Sequence, residues 1–95
     1  MALATYDEIK DAVEAIQADD DSFKPLILTL GGAHWIATTV HGTMTALADL
    51  GWDAMEAVVE TALAVPPWMT GKLTTFVRRL FDLLQDGVAF AAVAA

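Results

Sequence analysis

Apolar residues recur every three or four positions in three separate stretches of the chain, with polar and charged residues between them. A stripe of this kind is typical of a helix that buries one side against a core. The pattern predicts amphipathic helices over residues 6–18, 54–65 and 71–86. Together with the central part of the chain, these helices are expected to form a core that comprises Ile9, Val13, Ile16, Ile36, Val40, Leu47, Val59, Leu63, Phe76, Leu80 and Leu84.

Residues that favour helix ends flank two of these stretches. Thr5 and Glu8 fit a capping box before the first helix, and Asp53 with Glu56 repeats the same spacing at the start of the second. Three consecutive acids at positions 19–21 oppose the dipole at a helix C-terminus, so the first helix should end there. We expect a solvated acidic turn rather than a calcium loop, which needs alternating ligands and a central glycine.

The stretch from Pro25 to Ala48 is the least polar part of the chain, because it carries no formal charge over 24 consecutive residues. It fits a helix over residues 25–49 with a kink or break at the glycine pair 31–32. The alternative is a β-hairpin over residues 26–40 that turns at the same glycines. We favour the helix because the apolar residues before the glycines do not alternate. The expected fold is therefore an all-α bundle of about four helices, and the alternative fold is α+β.

Length and composition indicate one small helical domain over residues 1–95 with more apolar surface than it can bury alone. The chain is 56% hydrophobic, above the roughly 45–50% of ordinary soluble domains, and it has no cysteine for a disulfide or a thiolate metal site. A chain of this size exposes much of its surface. We therefore expect its surplus apolar surface to meet other copies, subunits of a larger complex, or lipid.

The net charge of −8 excludes one class of partner and leaves the cellular location open. An acidic surface repels phosphate backbones, so we expect no nucleic-acid binding. The N-terminus has acids where a cleavable secretory signal has a basic region and an apolar run, so no such signal is predicted. Membrane association stays open, because the uncharged stretch over residues 26–44 is long enough to be a candidate span.

Large apolar residues outside the predicted core are the candidate interface. The chain ends in an uncharged apolar tail at residues 88–95, which should dock on a neighbour. Aromatic side chains are enriched where protein surfaces meet. The predicted interface residues are Trp35, Trp52, Trp68, Phe90 and Val93.

The two histidines are the only candidate cofactor ligands. His34 and His41 are seven residues apart, which places them on one side of a helix but about 10.5 Å apart along it. One metal ion cannot be bound directly by both, so no metal site is predicted. Small neighbours leave each imidazole an uncluttered face, so the alternative prediction is that either one is an axial ligand to a tetrapyrrole.

No arrangement of residues predicts catalysis. The acids lie on the polar sides of the predicted helices, and the one serine lies in the acidic turn without a base beside it. We therefore expect no enzyme and no catalytic residues. The predicted function is a structural subunit that self-associates through apolar helix faces into an oligomer, filament, shell or larger complex. The alternatives are a membrane-embedded or lipid-associated protein, a histidine-ligated pigment or haem carrier, and an acidic partner of a basic protein.

Overall fold

A computed structural model describes residues 3–85 and arranges them almost entirely as helices. This confirms the predicted all-α fold. The five helices are α1 (Tyr6–Asp19), α2 (Lys24–Thr29), α3 (Ala33–Leu47), α4 (Trp52–Ala62) and α5 (Thr70–Gln85). Short 3₁₀ turns precede α2, α4 and α5 at Asp21–Phe23, Ala48–Leu50 and Pro67–Met69. The predicted apolar tail at residues 88–95 lies outside the described residues.

The glycine pair at 31–32 divides the predicted central helix into α2 and α3. Both glycines have positive φ, 96° and 95°, a conformation that is open to glycine at little cost. The amide of Gly31 donates to the carbonyl of Leu28, and the amide of Gly32 donates to that of Ile27, which is the Schellman pattern at the end of α2. The break predicted at the glycines is confirmed. The alternative hairpin over residues 26–40 is wrong, because α2 and α3 occupy this range.

The core lies where α1 packs against α3 and α5, and where α4 packs against α3 and α5. Ten of the eleven predicted core residues are buried. The exception is Leu47, which is only half-buried because it is the last residue of α3, where the chain leaves the core. The sequence pattern missed Phe23, which is buried against Phe76 with 5.7 Å between the ring centroids.

One of the two predicted capping boxes is present. At the start of α1, the amide of Glu8 donates to Thr5 Oγ1 at 3.1 Å and the amide of Thr5 donates to Glu8 Oε1 at 2.9 Å. The box predicted at Asp53 and Glu56 is wrong. The preceding Gly51, with a φ of 88°, lets α4 begin at Trp52, two residues earlier than predicted, and Glu56 pairs instead with Arg78 of α5 at 3.8 Å.

Candidate interaction surface

One side of α3 is exposed and carries no charged side chain. Its buried side consists of Ile36, Ala37, Val40 and Met44. At 100° per residue, its exposed residues cover an arc of about 140° around the helix axis. We call this surface the neutral face, and it consists of His34, Trp35, Thr38, His41, Gly42, Thr45 and Ala46.

The threonines make the neutral face less polar than its composition indicates. Thr38 Oγ1 donates to the carbonyl of His34 at 2.8 Å, and Thr45 Oγ1 donates to the carbonyl of His41 at 2.9 Å. Each hydroxyl hydrogen is therefore used inside the helix. The outer faces of surface helices usually carry charged residues, as the outer side of α1 does. The outer side of α3 has no charged residue, and it offers water few free hydrogen-bond donors.

Trp35 is the largest side chain of the neutral face and lies against the turn that precedes α3. It is 59% exposed, and a Cβ added to Gly31 would come within 3.0 Å of its Cδ1 atom. Leu28, at the end of α2, is 65% exposed and accepts the amide hydrogen bond of Gly31. The apolar exposure thus extends from α3 across the turn to α2.

His34 is held in place by aromatic neighbours. Its Nδ1 atom lies 2.5 Å from the Oη atom of Tyr6 in a hydrogen bond between α3 and α1. The imidazole ring also lies edge-on to Trp35, with 5.3 Å between ring centroids. The ring orientation is therefore set by contacts, and Nε2 is the ring nitrogen that does not meet Tyr6. His41 is exposed two turns further along α3.

The other predicted interface residues are dispersed over the fold. Trp52 is half-buried at the start of α4 and packs edge-on against Phe81, with 6.2 Å between ring centroids. Trp68 is 81% exposed in the turn before α5. Phe90 and Val93 lie outside the described residues. The interface role of all these residues stays a prediction.

A second surface, between the acidic turn and α5, is charged and was not predicted. Lys72 lies over the ring of the buried Phe23, 4.3 Å from its centroid, and Arg79 lies 5.2 Å from it. Lys72 and Arg79 are seven residues apart on α5, a spacing that places both bases on one side of a helix. We call this surface the charged seam, and it consists of Asp19, Asp20, Ser22, Lys72 and Arg79.

The charged and polar groups of the charged seam are paired with one another within the chain. Arg79 pairs with Asp19 at 3.8 Å, and Lys72 Nζ donates to Ser22 Oγ at 2.5 Å. The Asp20 carboxylate accepts from the backbone amide of Ser22 at 3.0 Å. Hydrogen bonds from the Ser22 side chain and backbone hold the pKa of Asp20 below its ordinary value, since they favour the ionised carboxylate.

Neither a metal cluster nor a spanning helix is found between residues 3 and 85. No three histidine or acidic side chains in that range are grouped to hold an ion. The candidate span at residues 26–44 is divided between α2 and α3, and no helix in the described part of the chain is both long and apolar enough to cross a bilayer.

Comparison with known proteins found no matching family model, no matching curated protein and no matching solved structure.

Proposed function

We propose that this protein is a structural subunit that associates with further copies of itself through the neutral face. The observation that carries the proposal is an exposed helix surface without a formal charge in a chain whose net charge is −8. Exposed tryptophan and leucine at one end of this surface add apolar area, which is stabilised when water is removed from it.

Charge favours a second copy as the occupant of this surface. Two copies with a net charge of −8 repel each other wherever their acidic surfaces approach. The acids of the described residues lie on α1, in the acidic turn, at Asp49 just after α3, on α4 and on α5, and residues 25–48 contain none. Contact through the neutral faces therefore brings two copies together with the fewest like charges opposed.

The shape of the neutral face suits an antiparallel pair. Trp35, Gly42 and Ala46 lie along one edge of it, within about 40° of one another around the helix axis. If a two-fold axis passes between two antiparallel α3 helices, level with the midpoint between Ala37 and Thr38, Trp35 lies level with position 40 of the second copy. The large indole then lies beside the small Gly42 of that copy, and the same contact repeats on the other side of the axis, as in an isologous dimer.

A matched pair of threonine substitutions tests the proposal. Thr38 and Thr75 are both exposed on helices, and each hydroxyl donates to the carbonyl four residues earlier, at 2.8 and 3.1 Å. Thr38→Glu adds a charge to the neutral face, whereas Thr75→Glu adds the same charge to the polar side of α5. Burying an unpaired carboxylate costs several kcal/mol. We expect Thr38→Glu to weaken association by roughly 100-fold, about 2.7 kcal/mol.

Sedimentation equilibrium of the wild-type protein and both variants measures the effect, with circular dichroism to confirm that each variant is folded. Thr75→Glu should associate like the wild type. A wild-type protein that stays monomeric at millimolar concentration would refute the proposal, as would equal losses in the two variants. Association that requires detergent or lipid vesicles would favour the lipid-associated alternative instead.

A further inference from the structure

The two histidines of the neutral face cannot share a metal ion within one chain, but they can do so between two. His34 and His41 are separated by two helical turns, about 10.5 Å, whereas zinc binds imidazole nitrogen at about 2.0–2.1 Å. The antiparallel pairing proposed above changes which histidines are neighbours. The inference that follows rests on that proposed function.

The same two-fold axis that places Trp35 beside Gly42 also matches the histidines. An axis that passes between the two α3 helices, level with the midpoint between His34 and His41, brings His34 of one copy level with His41 of the second. Both histidines lie on the same edge of the neutral face, within about 20° of each other around the helix axis. A two-fold rotation about an axis perpendicular to both helices keeps that edge on the same side, so each histidine faces its counterpart across the interface.

We infer that the dimer binds a divalent transition-metal ion such as zinc between His34 of one copy and His41 of the other, twice per dimer. Neutral imidazole is a common ligand for zinc, copper and nickel. Two histidines leave the remaining coordination positions to water, which can reach them because both histidines lie at the edge of the neutral face. No lysine or arginine lies between residues 25 and 71, so α3 and α4 carry no base that would repel the ion.

Tyr6 is the positioning residue for this site. Its Oη atom lies 2.5 Å from His34 Nδ1, so Nε2 is the nitrogen available to the metal. With the metal on Nε2, Nδ1 carries the hydrogen and donates to Tyr6, as ligating histidines in metalloproteins donate to a second group that orients the ring. The contact with Trp35 restrains the ring further.

The experiment measures the dimer dissociation constant by sedimentation equilibrium in EDTA and in zinc sulfate. Zinc should tighten the wild-type dimer at least tenfold, and His34→Ala or His41→Ala should each abolish this tightening. A mixture of the two variants, labelled with different fluorophores, should recover part of it. In the mixed dimer, one site keeps His34 from the His41→Ala chain and His41 from the His34→Ala chain.

Tyr6→Phe provides a test of the positioning role. It should weaken the affinity for zinc by roughly 10- to 100-fold while association in EDTA stays as in the wild type. A merely structural role for Tyr6 would instead weaken association equally in EDTA and in zinc.

The possible failures are distinguishable. A dimer in EDTA that zinc does not tighten would support the proposed function and overturn the metal site. Equal tightening of all variants, or a mixture no tighter than its parents, would also overturn it. A protein that is monomeric in EDTA and dimeric in zinc, with recovery in the mixture, would support the metal site and refute metal-free association.

Discussion

The neutral face and the charged seam differ in whether their side chains find partners within the same chain. In the charged seam, Lys72 and Arg79 lie over Phe23, and Arg79 also pairs with Asp19. The neutral face has exposed apolar and small residues instead, with its threonine hydroxyls turned to the helix backbone. A charged surface can thus be completed within one chain, whereas an exposed apolar surface gains stability only when something else covers it.

The two surfaces also differ in how much their contacts contribute. Exposed ion pairs such as Arg79–Asp19 contribute about 0–1 kcal/mol, because solvent screens them. Truncating a tryptophan that is a hot spot of an interface commonly costs about 2 kcal/mol or more of binding free energy. We therefore expect the largest effects on association from changes at the neutral face, and only small effects on folding from changes at the charged seam.

Among substitutions that remove a contact rather than add a charge, Trp35→Ala should have the largest effect on self-association. We expect the dissociation constant to rise roughly 30-fold, about 2 kcal/mol, while the free energy of unfolding of the monomer changes by less than about 1 kcal/mol. Trp68→Ala is the matched control, since Trp68 is even more exposed but lies outside the neutral face. Sedimentation equilibrium and urea denaturation measure the two quantities. A larger loss of association in Trp68→Ala would show that the interface includes Trp68 rather than the neutral face of α3.

Gly31→Ala should have a smaller effect than Trp35→Ala on association, but it should also destabilise the fold. Alanine at a φ of 96° is strained, and its Cβ would come within 3.0 Å of Trp35 Cδ1, so we expect about 1–3 kcal/mol of destabilisation. Gly51→Ala introduces similar strain at a φ of 88° but meets nothing within 4 Å. Urea denaturation should rank Gly31→Ala as the less stable variant. Only Gly31→Ala should also weaken association, and equal association in both variants would contradict the role of this contact.

Asp20→Ala should have the smallest effect, and that effect should depend on pH. The pKa of Asp20 is lowered from its ordinary 3.8 by its hydrogen bonds to Ser22, so it stabilises the fold above that pH. The stabilisation is lost as the pH falls through the lowered pKa of the folded protein. Thermal melting from pH 6 to pH 2 should show that the difference in melting temperature between the wild type and Asp20→Ala shrinks below pH 3.8.

Asp20→Asn separates the charge from the hydrogen bond in this experiment, because an asparagine oxygen can accept from the Ser22 amide but does not titrate. The melting temperature of Asp20→Asn should stay closer to that of the wild type than the melting temperature of Asp20→Ala does. Its difference from the wild type should not show the same pH dependence. A difference between wild type and Asp20→Ala that is constant over this pH range would contradict the role assigned to the carboxylate.

The sequence predicted those features that depend on local spacing. Ile36 and Val40, which were predicted for the core from their spacing, are buried on the inner side of α3 as the helical period requires. The capping box at Thr5 is equally local. The pair Asp53 and Glu56 matched the same motif but does not cap α4, because the chain enters this helix at Gly51 and Glu56 pairs with Arg78 of α5.

Features that join distant parts of the chain were not predictable in this way. Phe23 follows three acids in the sequence, and only the packing of the acidic turn on α5 buries it under two bases. The hydrogen bond between Tyr6 and His34 likewise spans 28 residues. Hydrophobic periodicity reports which side of a helix is buried, but not which side chains of another helix it will meet.

The sequence by itself determined that this chain is helical, where its main break lies and that residues 25–48 are uncharged, because these depend on backbone preferences and composition. Only the tertiary structure decided that the uncharged side of α3 remains exposed, while the bases of α5 lie over Phe23 or pair with acids. Burial depends on which helix surfaces pack together. This packing is determined by all the helices of the described residues at once and not by any single segment.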